Sequence, residues 1–286
     1  MLKKPLVGIL AFIVVLLTMP LGHTVMILME SIFGQNHQYT AAILMGILGV
    51  YILLRGIKIN KESQSTWLGF FAGLFIWTGW VEFSFIFFAN HLGIEAFMEN
   101  GEIATKPEYL LLPSSVGVLM ASLLYFFFNK NTRCHFFNWF HRNLKLQMGK
   151  AISGKDRNFA TITAMETIYI TWFFYIVLLL IYDDSILGDR HWLTYVVFWG
   201  SLVWSLYLII RLIKFQKIAP AVRYAIPTVI IFWNCIEILG RWNFFNEFWI
   251  YPGEYAFEMG LIFTAFVVVT LLTILPSARE KSIINT

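Results

Sequence analysis

Two glutamates lie inside apolar segments of the chain and could carry its chemistry. Glu82 occurs in WVEFSF and Glu237 in CIEILG. A carboxylate within the bilayer costs a few kcal/mol and normally faces a partner or water, so function is the default hypothesis for both residues. Such a pair could bind a cation or carry a proton. The alternative is structural, with each carboxyl protonated or hydrogen-bonded to a neighbouring helix.

More charged residues occur around the second glutamate than around the first. Arg241 follows Glu237 by four positions, and Glu258 follows Glu254 by four, so each pair shares a helical face. Because an unpaired charge at this depth is costly, we expect Arg241 to contact Glu237, Glu258 or both. The cluster could serve the site or only join two helices. Glu108 is the counterpart of Glu254 in the first half.

Two histidines fall on the same predicted side as these carboxylates. His23 follows a proline in the first apolar segment, and His91 ends the third. Imidazole and carboxylate groups together bind transition metals, so His23 and His91 are candidate metal ligands. No HxxxH, HxxE or ExxH spacing assembles a site locally, and a packing role for His23 is the alternative. Only His23 reaches far into a segment, so we expect no internal bis-histidine haem.

Apolar helices must position these residues. Of the 286 residues, 58% are hydrophobic and 13% charged, a balance typical of membrane proteins. A helix needs roughly 20 apolar residues to cross the bilayer core. Continuous apolar runs, without the alternation of barrel strands, favour helices. The sequence predicts an all-α integral membrane protein with eight transmembrane helices, at about 5–29, 39–54, 66–90, 109–128, 161–182, 193–213, 219–242 and 255–275.

The distribution of basic residues predicts the orientation. With MLKK inside, all of the 21 Lys and Arg residues fall on the inner side except Lys106, Arg190 and Arg241. Lys and Arg are retained on the cytoplasmic side of short loops, so both termini are predicted to be cytoplasmic. The basic inner rim suits anionic lipid headgroups and not nucleic acid. Short loops on a compact multi-pass chain favour a bacterial inner (cytoplasmic) membrane.

The two halves of the chain resemble each other. YILLRGIK at 51–58 aligns with YLIIRLIK at 207–214, WVEFSF at 80–85 with CIEILG at 235–240, and PEYLLL at 107–112 with GEYAFE at 253–258. The matches occur in the same order and include polar residues, which indicates an internal repeat. We predict a tandem 4+4 duplication that forms two four-helix bundles. Four helices per half would relate the halves by an axis along the membrane normal.

The repeat divides the chain into three regions. Residues 1–128 form the first repeat and 161–286 the second, with a short cytoplasmic tail. Residues 129–160 are predicted to be a basic cytoplasmic linker, because HFFNWFHRNLKLQMG mixes aromatic and basic residues as interfacial helices do.

Three functions fit these patterns. Paired intramembrane carboxylates in a duplicated fold favour cation- or proton-linked transport. The alternative is a membrane redox or metal-dependent enzyme subunit with an outer quinone, lipid or metal site. In architecture alone, two four-helix bundles resemble the quinol-interacting subunits of polysulfide and nitrite reductases, without a shared motif. The third is an assembly protein that binds another membrane chain or a second copy. No Walker, GxGxxG, HExxH or nucleophile-elbow motif indicates a hydrolase or nucleotide-driven pump.

Overall fold

Eight helices that are long and apolar enough to cross a membrane occur in the described part of the chain. The computed structural model describes residues 4–99, 102–128, 140–146, 157–184 and 186–284. The chain is therefore a polytopic integral membrane protein. Its helices are α1 Leu6–Gly34, α2 His37–Ile57, α3 Glu62–His91, α4 Pro107–Phe128, α5 Phe159–Tyr182, α6 Trp192–Leu212, α7 Ile218–Arg241 and α8 Ala256–Ile284.

The eight predicted spans are confirmed as helices, and two of them, α1 and α8, end at least five residues later than expected. α1 continues to Gly34, whose backbone (φ 61°, ψ 178°) breaks the helix and leads almost directly into α2. Glycine has no Cβ and adopts this left-handed φ without strain. α8 continues beyond its apolar span, which ends at Ile274, as far as Ile284.

α3 and the loop after it depart from regular helix. Residues Trp77–Glu82 form a π-helical turn inside α3. Such turns occur mostly as single insertions in α-helices, often at functional sites. After α3, Phe97–Glu99 (β1) and Glu102–Thr105 (β2) pair as a short antiparallel hairpin, with Phe97 opposite Thr105.

The helices form an inner and an outer set. The buried share of the apolar window is 44, 50, 33 and 61% in α1, α3, α5 and α7, but 22, 11, 22 and 17% in α2, α4, α6 and α8. The inner set joins the two halves of the chain, because α3 packs on α5 and α1 packs on α7. α6 packs on α7 and α8 packs on α1. The outer helices direct their apolar residues towards lipid.

The inner helices meet closely at the end of the molecule where α1, α3, α5 and α7 begin, called here the closed end. A buried apolar cluster fills it, with Trp67, Phe70 and Val222 among its members. A Cβ on Gly69 of α3 would overlap the carbonyl oxygen of Ala160 on α5. Small residues permit this close approach of two membrane helices.

Adding one methyl group at Gly69 is expected to destabilise the closed end. Because the obstacle to a Gly69→Ala side chain is backbone, the two helices must separate, at a cost of about 1–3 kcal/mol. Gly117→Ala on α4 is the matched control, since its new Cβ meets nothing within 4 Å. Thermal unfolding of the purified protein in detergent should show a lower midpoint for Gly69→Ala alone. Equal midpoints would contradict the close contact.

An arginine also joins three inner helices at the closed end. Arg223 of α7 donates through Nη2 to Glu62 Oε1 and through Nη1 to Thr66 Oγ1, each at 2.6 Å. Its guanidinium lies 4.6 Å from the ring centroid of Phe159 on α5. Charge-assisted hydrogen bonds are stronger than neutral ones. This arrangement, called the Arg223 clamp, ties α7 to α3 and α5.

Most of the predicted linker lies outside the described residues. Within residues 140–146, His141 is buried, and its Nε2 makes a close contact with the carbonyl oxygen of Phe127 at the end of α4. At the start of α5, Asn158 Oδ1 accepts a hydrogen bond of 3.1 Å from the Thr161 backbone N–H and caps the helix. The division into two repeats and a basic linker stays a prediction.

Candidate functional site

A cavity of about 1280 Å³ occupies the end of the bundle opposite the closed end. Helices α1, α3, α4, α5 and α7 form its walls, together with the β-hairpin and the loop between α7 and α8. Its wall reaches Thr18 on α1. The stretch from Thr18 to Gly34 is about 24 Å long at a rise of about 1.5 Å per residue. The cavity therefore extends from the loops deep into the bundle.

Glu82 lies on this wall, at the last position of the π-helical turn. It is 8% exposed. Its carboxylate interacts with the side chains of Trp77 and Thr78. Gly79 packs against the Ala42 carbonyl and the backbone of Gly46 on α2, so this turn is held close to its neighbour.

Glu237 lies on the same wall, on α7. Its Oε1 accepts a hydrogen bond of 2.6 Å from the indole N–H of Trp233 and lies 3.4 Å from His23 Nε2 on α1. The side chains of Glu237 and His23 are each 17% exposed. His23 also interacts electrostatically with Glu82. The structure thus places both glutamates and His23 in one site.

Aromatic side chains surround the two carboxylates. Tyr175 on α5 lies edge-on to Trp77, with ring centroids 6.2 Å apart, and to Tyr109 on α4, at 5.8 Å. Tyr109 and Tyr175 also interact through their hydroxyls. Beside Glu237, the Trp233 ring lies 5.0 Å from Trp249 of the loop between α7 and α8. All five rings line the cavity.

A third carboxylate lies near the mouth. Glu247, outside the membrane spans, packs against Gly240, where a Cβ would overlap its Oε1. Burial, and after it the negative charge of Glu237, raise the pKa of the Glu247 carboxyl to about 7, against the opposing effect of His23 and Arg241. The charge of Glu247 therefore changes near neutral pH.

Arg241 lines the cavity, and its guanidinium lies 5.6 Å from the ring centroid of Tyr182 on α5. It also acts electrostatically on Glu247. Its predicted contact with Glu237 or Glu258 stays a prediction. A cation over an aromatic face is attracted by the ring quadrupole, which gives Arg241 a partner on α5.

The other residues proposed from sequence lie in different places. Glu254 is exposed and lines the mouth of the cavity. Glu108 is buried at the start of α4, beside the cavity-lining Tyr109, and is not itself on the wall. Glu258 is exposed in the first turn of α8, away from the wall. His91 is exposed at the end of α3 and stacks on Phe87, with ring centroids 5.8 Å apart.

Three residues of the site were not found from the sequence. Tyr175 stands in a strongly aromatic segment, and Glu247 lies in a loop, so neither has a distinguishing pattern. Asn234 could have been found from its spacing to Glu237. It precedes Glu237 by three positions, a spacing that places two side chains on one helical face.

The two histidines proposed as metal ligands lie in different surroundings. Within the residues described, no three His, Cys, Asp or Glu side chains are arranged to hold a metal ion. His23 lies beside Glu237 on the cavity wall, whereas His91 lies away from it. A joint metal site of His23 and His91 stays a prediction.

The chain was compared with known proteins. No family model, curated protein or solved structure matches it.

Proposed function

We propose that the chain is a cation transporter, linked to proton movement, in which Glu82 and Glu237 bind the cation. The observation that carries this proposal is that the two carboxylates line one deep cavity and that His23 interacts with both of them. They come from α3 and α7, helices of different halves of the chain. A membrane protein retains buried carboxylates at such a position mainly for an ion, a proton or a substrate.

His23 supports the proton linkage. It contacts Glu237 and acts electrostatically on Glu82, so one imidazole interacts with both carboxylates. Imidazole accepts and releases protons near neutral pH and serves as a shuttle. A proton on His23 would compete with a bound cation for both glutamates.

The proposed 4+4 duplication is supported by hydrogen bonds that recur at equivalent positions. Trp80 Nε1 on α3 donates to the Ile43 carbonyl on α2 at 3.2 Å. In the second half, Cys235 Sγ on α7 contacts the Phe198 carbonyl on α6 at 3.6 Å. Cys235 follows Trp80 by 155 positions, and Phe198 follows Ile43 by 155 positions. Glu237 follows Glu82 by the same 155 positions.

Two further contacts repeat in the same way. The side chain four positions before each glutamate, Thr78 or Trp233, interacts with its carboxylate. At the closed end, Gly56 of α2 meets Ala160 at the start of α5. Likewise, Leu212 of α6 meets Gly8 at the start of α1. An axis along the membrane normal that exchanges the halves would relate both pairs and place the cavity on that axis.

The proposal includes an orientation. With both termini in the cytoplasm, as the basic residues predict, the closed end faces the cytoplasm and the cavity opens outward from an inner membrane. Transport by alternating access then requires the closed end to open.

The direct test is flux in proteoliposomes. The purified protein is reconstituted with a pH-sensitive dye inside, and radiolabelled sodium, rubidium and choline are supplied separately outside. We expect uptake of a cation together with a change of internal pH, above the level of protein-free vesicles. Absence of both would overturn the proposal.

The same preparation separates the other functions. A chromophore or a stoichiometric metal, seen by absorption and elemental analysis, would support a redox or metal-dependent enzyme with a quinone, lipid or metal site. A stable membrane protein partner without flux would support an assembly protein.

Cation uptake is expected to rise several-fold between pH 6 and pH 8, measured with equal pH on both sides. The carboxyl of Glu247 has a pKa of about 7, so it is mostly protonated at pH 6 and mostly charged at pH 8. The added negative charge at the mouth attracts cations. Glu247→Gln should remove much of the rise in uptake. The charged and titratable groups that act on Glu247, namely Glu237, His23 and Arg241, remain in this variant. An unchanged profile in this variant would assign the pH dependence elsewhere.

A further inference from the structure

The cavity is strongly acidic. Among the described residues that line it, eight are Asp or Glu, against Lys106, Arg190 and Arg241. A cleft lined by one sign of charge concentrates ligands of the opposite sign. The charge therefore selects a cation, and it disfavours anionic lipids and free phosphate.

The aromatic wall distinguishes an organic cation from a metal ion. Trp77 and Tyr175 lie beside Glu82, and Trp233 and Trp249 lie beside Glu237. Indole and phenol faces attract ammonium groups, whereas hard inorganic cations require several oxygen ligands at short distance. The volume of about 1280 Å³ also exceeds the needs of one inorganic ion and suits an organic molecule.

A buried amide supplies an independent sign of a ligand. Asn234 is 1% exposed and lines the cavity, yet its Nδ2 has no hydrogen-bond partner. Buried polar groups are nearly always paired, so an unpaired one at a cavity wall calls for a ligand atom. Asn234 and Glu237 are three positions apart on α7, which places their side chains roughly 5–6 Å apart on one face.

The hydroxyl of Tyr182, on the facing helix α5, is also buried without a partner and lines the same cavity. A hydroxyl can donate and accept, as a ligand hydroxyl can. Two unpaired polar groups on the lining of one cavity therefore favour a ligand that carries a hydrogen-bonding oxygen as well as positive charge.

We propose that the cavity binds a small organic ammonium compound with a hydroxyl or carbonyl oxygen near its charged nitrogen. The ammonium lies between Glu82 and Glu237 against the rings of Trp77 and Trp233, and the oxygen reaches Asn234. This inference rests on the transport proposal and names its substrate class.

Binding of choline tests it, because two analogues each lack one of its features. Tetramethylammonium keeps the charge without the hydroxyl, and 3,3-dimethylbutan-1-ol keeps the shape and the hydroxyl without the charge. Calorimetry on the full-length protein in detergent should give choline the tightest binding. We expect tetramethylammonium to bind several-fold more weakly and the neutral alcohol at least tenfold more weakly. Equal binding of choline and the neutral alcohol would overturn the inference without any variant.

Variants assign the contacts. Asn234→Leu should weaken choline several-fold and leave tetramethylammonium unchanged, since only choline has the oxygen. Glu82→Gln should weaken both about tenfold, whereas Glu258→Gln, away from the wall, should weaken neither. Equal losses of both ligands in Asn234→Leu would contradict the role of the amide.

The outcome is separable from that of the transport test. Choline binding without flux of any cation would uphold the inference and overturn the proposed transport. Sodium or proton flux without choline binding would uphold the proposed transport and overturn the inference about its substrate.

Discussion

The double variant Glu82→Gln with Glu237→Gln is expected to lose cation uptake by about 100-fold or more and to remain folded. Glutamine has nearly the shape of glutamate, and its amide oxygen can still accept the bond from Trp233. What disappears is the negative charge. A hydrogen bond to a charged group is worth about 1.5–3 kcal/mol, so each lost carboxylate costs roughly ten- to a hundredfold.

The single variants should differ in their effect on protons. Glu237→Gln removes the partner that lies 3.4 Å from His23, and should uncouple proton movement more than Glu82→Gln does. Glu258→Gln is the matched control, because it removes a carboxylate that is exposed and outside the cavity wall. Uptake in proteoliposomes, together with the elution profile of each variant, is the measurement. Normal uptake by a folded double variant would refute the carboxylate site.

Removal of the Arg223 clamp should destabilise the protein by roughly 2–4 kcal/mol. Arg223→Ala deletes two charge-assisted hydrogen bonds and the contact with Phe159, and leaves Glu62 without its cation. Loss of one partner of a buried ion pair is strongly destabilising, and the 38% exposure of the Glu62 side chain reduces the effect here. The thermal unfolding midpoint in detergent should fall by about 5 °C or more.

Arg211→Ala provides the control for the clamp. Arg211 lies at the same end, near the end of α6, but it is exposed, and its partner is Tyr207 on its own helix. Its loss should change the midpoint little, because exposed interactions contribute little. Equal midpoints for the two variants would show that the clamp does not hold the inner helices together.

The helices were predictable because the bilayer leaves few alternatives. Every backbone polar group must be paired within a segment, so about 20 apolar residues in a row become a helix. Helix ends were less certain, since polar residues near Gly34 and beyond Ile274 can lie in the interface or extend a helix without penalty. The π-helical turn at Trp77–Glu82 was not predictable, because WTGWVE has no local pattern that distinguishes it from α-helix.

The sequence by itself determined that this is a multi-pass helical protein and that Glu82 and Glu237 are carboxylates within its apolar segments. A charge in an apolar run is costly wherever that run folds, so its importance is a local property. The structure confirms the eight helices. The internal repeat, the orientation and the roles of the glutamates stay proposals.

Only the tertiary structure decided which residues meet. His23, Glu82 and Glu237 are on α1, α3 and α7, and no local spacing indicates that they share a wall. That meeting depends on how the inner helices cross and how deep each side chain lies. WVEFSF therefore specifies a carboxylate within the membrane, but the packing of α1, α3, α5 and α7 makes it part of a cavity.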